Sequence, residues 1–306
     1  RIMHVTDTHL EDYNVDASVW AIGAACDREN PDLVVITGDN VQNYDNADET
    51  KILIDKLMET FEERNIPVAV TFGNHDSETG AMSREELMAY HNRYACSHSI
   101  DDGELLSGCG TYNVPVLSSD GKDIRYNLWI FDSNDYDKEG HYGCVLKDQV
   151  EWYKTTVESN KEYNKKLIAT MENSDELMEK FGELNTLLFF HIPIAEYGDA
   201  WFEYANNGYK DTENAKLIYG TAGESGDVVY SSAIPDTLFE TMLELGGKHG
   251  TFCGHDHVNN FSIEYKGIRL TYGMSVDYLA YLKIHKLGSQ RGCTMITLNP
   301  DGTFDY

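Results

Sequence analysis

Polar side chains of three chemical types follow five apolar stretches of this sequence, each at the point where the stretch ends. They are carboxylates, an amide and imidazoles, carried by HVTDTHL, VVITGDN, VAVTFGNHD, LLFFHIP and TFCGHDHV. In α/β sheets the ends of the strands are where ligands bind. Oxygen and imidazole nitrogen ligands without sulfur suit manganese, iron or zinc. The pattern therefore predicts a transition-metal site assembled from several strand ends.

The motifs are informative as an ordered set rather than one by one. A triplet such as Asp7-Thr-His9 is common in turns that contain an Asx hydrogen bond, and a single His191 is typical of a hydrogen-bonded strand-end histidine. The GHDH motif is stronger, because His255 and His257 lie two residues apart and face the same side of an extended segment. Both imidazoles can then reach one metal centre.

The elements that must position these residues alternate between strand and helix over the first two thirds of the chain. Apolar runs predict strands at 1–5, 32–37 and 67–72, and helical spacing predicts helices at 15–30 and 47–65. Ser83 followed by two glutamates in the first turn predicts the start of a helix near 83–94. Repeated β-α-β order predicts a largely parallel central sheet.

The second half of the chain is predicted to be richer in hairpins. Two strands flank the turn at 118–123, a long helix with a break occupies roughly 147–181, and a strand ends at His191. A helix at 235–246 precedes short strands at 249–253, 258–265, 267–272 and 293–298. Residues 195–231 are polar, rich in Gly and Tyr and without clean periodicity, which predicts an excursion above the sheet. We expect residues 1–306 to form one domain.

The charge composition limits the kinds of partner that this protein can bind. The 306 residues contain 24 basic and 52 acidic residues, a net charge of −28. Such a surface repels nucleic-acid phosphates and anionic lipids, so nucleic acid is a poor candidate partner. No apolar run approaches the length that spans a bilayer, and the oligomeric state stays open. Because the chain starts at Arg1, directly on a strand-like run, we expect a segment upstream of it, and the localisation is undetermined.

Six cysteines are too few and too dispersed for a disulfide scaffold. None forms a C-x-x-C pair, which argues against a thiolate zinc site, and their even number leaves room for one or two disulfides.

The ordered set D-x-H, G-D, G-N-H-D, H and G-H-x-H, from Asp7 to His257, resembles the calcineurin-like metallophosphoesterase family. The resemblance implies an α/β fold, a four-layer αββα sandwich of two mixed β-sheets flanked by helices. It also implies two divalent or trivalent transition-metal ions, with Asp39 bridging them. The implied ligands are Asp7, His9, Asp39 and His257 for one ion, and Asn74, His191 and His255 for the other.

Two such ions would account for the hydrolysis of phosphate esters. Cations about 3.5–4 Å apart can hold both the attacking and the leaving oxygen of an in-line displacement. A water shared by them loses its proton near neutral pH and becomes the nucleophile. The resemblance implies that His75 lies beside the phosphate without binding metal, where it can donate a proton to the leaving oxygen or stabilise the charge that builds up there. Asp76 is expected to support the ligands or cap a helix.

The sequence departs from one subgroup of the family. Purple acid phosphatases carry a Tyr three residues after the bridging Asp, and this chain has Gln42 there while it keeps His9. The stretches FHIPIAEY and GHDHVNNF nevertheless resemble a branch catalogued with purple acid phosphatases.

Several alternatives remain open at this stage. The acidic segment DSNDYD (132–137) is either a plain loop after a strand or a segment that binds Ca²⁺ or lines the active cleft, where Asp132 and Asn134 are candidates for contact with the substrate. The aromatic residues of 195–231 either stack on a ligand or pack against the body of the protein. The substrate is a phosphorylated small molecule or another phosphoester, and a phosphomonoesterase is the first hypothesis. A phosphodiesterase acting on nucleotides or glycerophosphodiesters is the alternative, and a silent binding protein on the same fold is the alternative outside enzymes.

Overall fold

The computed structural model describes residues 1–41, 45–100, 105–277 and 291–306. The helices in these ranges are α1 Val15–Glu29, α2 Ala47–Glu62, α3 Arg84–His91, α4 Lys147–Ile168, α5 Ser174–Phe181, α6 Ala195–Asn206 and α7 Leu238–Leu245. The strands are β1 Ile2–Val5, β2 Leu33–Thr37, β3 Val68–Thr71, β4 Tyr112–Leu117, β5 Ile124–Ile130, β6 Asn185–Phe189, β7 Ala215–Tyr219, β8 His249–Cys253, β9 Ser262–Tyr265, β10 Ile268–Tyr272, β11 Thr294–Leu298 and β12 Phe304–Asp305.

Both sheets are mixed. The first has the order β12-β11-β1-β2-β3, in which β1, β2 and β3 are parallel and β11 and β12 are antiparallel to their neighbours. The second has the order β4-β5-β6-β8-β10-β9-β7, with a parallel centre from β5 to β10 and antiparallel edges. Parallel strands need crossover helices, which explains the alternating order of elements in the first half of the chain.

Alternate side chains of the strands separate the layers. In β6, Leu187 and Phe189 enter a core between the two sheets, whereas Leu188 enters the core beneath the helices. In β2, Val35 lies between the sheets, whereas Val34 and Ile36 pack with residues of α1 and α2. Burial on both faces explains why these strands are apolar throughout. The result is the expected four-layer αββα sandwich.

Helix boundaries follow the expected capping chemistry. Asn46 accepts a hydrogen bond from the backbone of Asp48 at 2.9 Å and begins α2. Ser83 and Glu86 form a reciprocal capping box at the start of α3, at the predicted N-cap. The long helix predicted at 147–181 is confirmed with its break, which separates α4 from α5.

Residues 195–231 are more regular than expected. They contain helix α6 and strand β7, and β7 pairs antiparallel with β9 at the edge of the second sheet. The buried face of α6 is formed by Tyr197, Ala200, Trp201 and Tyr204, a helical spacing built largely from aromatic residues. These rings pack in the core, so they are not available to stack on a ligand, whereas Tyr209 and Tyr230 are exposed.

Two further expectations, on membrane crossing and on disulfides, can be compared with the described residues. Within them, no helix combines the length and the apolar character that a membrane crossing requires. All six cysteines fall in the described ranges, and none of them takes part in a disulfide.

Candidate metal centre

The predicted ligands meet at the carboxyl ends of strands from both sheets. In the first sheet, β1 is followed by Asp7 and His9, β2 by Asp39, and β3 by Asn74. In the second sheet, His191 follows β6, and His255 and His257 follow β8. Parallel strands that point the same way place their ends at one edge, and the two facing edges enclose the centre.

The first group of potential ligand atoms comes from Asp7, His9, Asp39 and His257, which are all buried and lie within 4.8 Å of one another. The Nε2 atom of His9 lies 3.4 Å from Asp39 Oδ2 and 3.0 Å from His257 Nε2. Nε2 of His257 lies 3.5 Å from Asp7 Oδ1. Two imidazole nitrogens and two carboxylates that point at one spot have the geometry of a metal site.

The second group consists of Asp39, His191 and His255. His191 Nε2 lies 3.0 Å from Asp39 Oδ2, and its Nδ1–H donates to the carbonyl oxygen of Thr37 at 2.9 Å. This bond fixes the ring so that Nε2 faces Asp39. Asp39 belongs to both groups and thus joins them.

Asn74 adds an oxygen to the same region. Its amide nitrogen donates to the Tyr136 hydroxyl at 2.9 Å, while its buried Oδ1 has no hydrogen-bond partner. The buried Nε2 of His191 is also without a hydrogen bond among the protein groups and faces Asp39 Oδ2 as an ion-pair contact at 3.0 Å. Buried polar atoms are normally satisfied. These orphaned atoms, together with the donor set of nitrogen and oxygen, fit a transition-metal ion.

Four of the potential ligands have left-handed backbone conformations. The φ angles are 52° for Asp7, 39° for His9, 50° for Asp39 and 77° for His255. Residues other than glycine adopt such angles at a cost, and they concentrate at functional sites. Hydrogen bonds between the loops hold them in place: His9 N donates to Asp39 O at 2.9 Å, and His255 N donates to Asp7 Oδ1 at 3.0 Å.

Two glycines of the motifs are required by close approach. A Cβ atom on Gly73 would lie 2.6 Å from the backbone nitrogen of Asp39, and one on Gly254 would lie 2.6 Å from Asp7 Oδ2. Both distances are far below van der Waals contact. The glycines of G-N-H-D and G-H-x-H therefore allow the loops from different strands to touch.

The centre carries excess negative charge. Burial acts to lower the pKa of His9, but the carboxylates of Asp39, Asp7 and Asp277 outweigh it and raise this pKa to about 10. The pKa of His191 rises to about 9, because Asp39 outweighs the effect of burial in the same way. Burial acts to raise the pKa of Asp39, yet the two imidazoles hold it well below its usual range. A region that binds protons so strongly also attracts metal cations, which can take their place.

His75 lies at the edge of both groups. Its backbone N–H donates to Asp39 Oδ1 at 2.9 Å, and its ring centroid lies 5.3 Å from that of His9. The Nδ1–H donates to Glu78 Oε2 at 2.6 Å, and 32% of the side chain is exposed. His75 is in neither group of potential ligands, and its remaining ring nitrogen, Nε2, is the one that can serve a substrate.

The three weaker candidates have structural contacts. Asp76 Oδ2 accepts from Gly73 N at 2.8 Å, and its Oδ1 accepts from Asn40 N at 2.8 Å, so this buried carboxylate ties two of the ligand loops together. Asp132 is fully buried and pairs with Arg84 at 2.8 Å. Asn134 donates to the carbonyl of Cys144 at 2.9 Å. These contacts favour loop support over substrate binding.

Four further residues near the centre were not among the predicted site residues. Tyr136 holds Asn74, and the ring of Tyr142 meets that of His255 edge-on at 4.4 Å between centroids. Glu78 holds His75, and Asp277 accepts a hydrogen bond from His257 Nδ1 at 3.0 Å. Tyr136 belongs to DSNDYD, and it is the residue of that segment that contacts a potential ligand, Asn74. Gln42, where purple enzymes have Tyr, lies outside the described residues.

Comparison with known proteins identifies the class. Residues 1–259 match the model of the calcineurin-like phosphoesterase family, and the chain belongs to that family. A dimetal phosphatase from Danio rerio has a similar fold, with a TM-score of 0.55 and 13% sequence identity over 90% of this chain and 87% of that one.

Proteins with similar sequences include some that are named as inactive phosphatases and one that is named as a phosphatase. "Probable inactive purple acid phosphatase 29" of Arabidopsis thaliana is 28% identical over 90% of this chain and 66% of its own length. "Phosphatase DCR2" of Saccharomyces cerevisiae is 25% identical over 78% of this chain and 38% of its own length. The chain thus spans about 60–66% of the length of the three Arabidopsis relatives that it matches.

Proposed function

We propose that this protein hydrolyses phosphate esters with two transition-metal ions, which are manganese, iron or zinc. The observation that carries the proposal is that Asp39 belongs at once to two groups of ligand atoms, one of them buried and the other largely buried. The first ion would be held by Asp7, His9, Asp39 and His257, and the second by Asp39, Asn74, His191 and His255. When bound, the ions would supply the positive charge that activates a water and stabilises the phosphoryl group during its transfer.

The protein's own part is to present these atoms in one orientation. The Thr37 carbonyl keeps the proton of His191 on Nδ1, and Tyr136 accepts from the amide nitrogen of Asn74, which leaves its buried Oδ1 as the ligand atom. Asp76 fixes the loops that carry Asp39 and Asn74 relative to each other. Such preorganised dipoles and charges need no rearrangement during the reaction.

His75 is proposed as the proton donor to the leaving oxygen. Glu78 accepts from Nδ1, which orients the ring and leaves Nε2 as the nitrogen that can hand a proton to the leaving oxygen. The partly exposed position suits a group that must meet the leaving part of the substrate and then recover a proton from water.

A catalytically silent binding protein is the second candidate, and it is favoured by the word "inactive" in the names of Arabidopsis relatives. Loss of catalysis normally shows as lost ligands. In this chain every ligand position of the family motif is filled by a side chain that can bind metal, which supports the enzyme. We also propose that residues 1–306 act as one domain, because both sheets supply ligands to the same centre.

A substrate panel tests the proposal. The metal-free protein would be loaded with Mn²⁺, Fe²⁺ or Zn²⁺ and assayed with phosphomonoesters, nucleotide phosphodiesters and glycerophosphodiesters. We expect hydrolysis that requires metal, with monoesters as the better class; a preference for diesters would establish the alternative. The Asp39→Asn variant controls for contaminating phosphatases. Tight metal binding without hydrolysis of any ester would favour the silent binding protein.

A further inference from the structure

His257 is held by a buried carboxylate that lies outside the family motif. Its Nδ1–H donates to Asp277 Oδ2 at 3.0 Å, and the Asp277 side chain is only 4% exposed. This bond leaves the lone pair of Nε2 directed at the first group, where His9 Nε2 lies 3.0 Å away. The orientation and the tautomer of His257 are thus set by Asp277.

The fold delivers Asp277 to this position through the end of β1. Ser275 forms a parallel bridge with Thr6, and Val276 N donates to Thr6 O at 3.1 Å. Ser275 Oγ also donates to the carbonyl of Asp7 at 3.4 Å. The segment that carries Asp277 is therefore bonded to the same strand end that carries the first ligand.

In the second group, the acceptor behind the ligand histidine His191 is uncharged. There, Nδ1 of His191 donates to a backbone carbonyl, that of Thr37. A carboxylate behind an imidazole makes its other nitrogen a stronger donor and adds a negative charge near the bound ion. Among the ligands, the first group contains two carboxylates, those of Asp7 and Asp39, and the second contains that of Asp39 alone. Asp277 adds a third carboxylate in direct contact with a ligand of the first group, whereas Asp7 and Asp76 act on His191 from outside the second group.

We propose that Asp277 is a positioning residue that orients His257 and makes the first group the tighter of the two metal sites. This inference rests on the metal centre of the proposed function, but it does not require that the protein be catalytically active. Asp277 acts through His257 and touches no substrate.

The test separates the two groups by mutation. His255→Ala weakens the second group and leaves the first intact, and His9→Ala does the reverse. In each background, Zn²⁺ affinity is measured by competition with a colorimetric chelator, with and without Asp277→Ala. Removing the carboxylate should weaken Zn²⁺ binding about 10–100-fold in the His255→Ala background and less than about threefold in the His9→Ala background.

Two additional variants and one spectrum exclude a general structural effect. Asp277→Asn keeps an acceptor oxygen, so it should lose less affinity than Asp277→Ala, and Asp277→Glu should recover part of it. Nitrogen NMR of the metal-free protein should show His257 protonated at Nδ1, with this preference lost in Asp277→Ala. Equal weakening in both backgrounds, or none in the first, would overturn the inference.

The outcomes also distinguish this inference from the proposed function. A centre that binds Zn²⁺ regardless of Asp277 leaves the phosphoesterase proposal intact and removes the role of Asp277. A centre that depends on Asp277 but hydrolyses no ester supports this inference and contradicts the phosphoesterase. A wild-type protein that binds no metal contradicts both.

Discussion

Replacing His75 by alanine is expected to slow turnover without emptying the metal centre. The side chain contributes no atom to either group of potential ligands, and its ring lies 5.3 Å from that of His9. General acids contribute about 10²–10⁴-fold to a rate, which corresponds to about 2.7–5.4 kcal/mol of transition-state stabilisation. We expect a loss of this size for an ester with a poor leaving group.

The contribution of Glu78 to this effect should be much smaller. The side chains of His75 and Glu78 are 32% and 33% exposed, so water screens the charge of the pair. Ion pairs at such positions contribute about 0–1 kcal/mol, and Glu78→Gln should slow turnover by no more than about fivefold. A matched pair of variants therefore separates the acid from the group that orients it.

The assay compares two esters and measures metal content in the same samples. A nitrophenolate leaves without protonation, so His75→Ala should affect a nitrophenyl phosphate much less than an alkyl phosphate. Loss of metal from His75→Ala would refute the reasoning, because His75 would then be a ligand. Equal slowing of both esters with metal retained would assign His75 to charge stabilisation without proton transfer.

Three other predictions concern a glycine of a ligand loop, the colour of the iron-loaded protein and a buried ion pair. Gly73→Ala should displace Asp39 and lower both the metal content and the thermal stability. In the control Gly198→Ala, the new Cβ would lie 3.6 Å from its nearest neighbour, so this variant should be neutral or slightly stabilising, by about 0.5–1 kcal/mol. Calorimetry checks the stability of the two variants. An iron-loaded sample should lack the intense purple tyrosinate band, because Gln42 replaces the ligand Tyr, and an absorption spectrum showing that band would disprove this assignment. Asp132→Ala should lower the free energy of unfolding by about 3–5 kcal/mol, because it leaves Arg84 without its buried partner. Denaturant unfolding measures this difference, and a value below about 1 kcal/mol would show that the pair is dispensable.

Strands and helices with strong periodicity were predictable from the sequence. The apolar runs of β1, β2 and β3, the helical spacing of α2 and the N-cap Ser83 of α3 identify their elements locally. The segment at 195–231 was not predictable in the same way. Tyr197, Trp201 and Tyr204 form the buried face of α6, but tyrosine is common on surfaces as well as in cores, so the periodicity is masked. Strand β7 is recognisable only through its pairing with β9.

The candidate ligands were predictable because they stand within short motifs at strand ends. The groups that orient them were not, since these come from distant parts of the chain. Tyr136 reaches Asn74 from 62 residues away, and Asp277 reaches His257 from 20. A hydrogen bond between remote residues leaves no spacing pattern, and only the fold reveals it. Conversely, Asp132 and Asn134 attract notice in an acidic stretch, yet their contacts are internal to the loops.

The metal content of the wild-type protein and of Asp39→Ala tests the central claim most directly. Purified wild-type protein should contain close to two transition-metal ions per chain, and a chelator should abolish hydrolysis until metal is restored. Asp39→Ala should lose or scramble both ions and hydrolyse no ester, because one carboxylate serves both groups. A well-folded wild-type protein that carries no manganese, iron or zinc and does not respond to added metal would contradict the account.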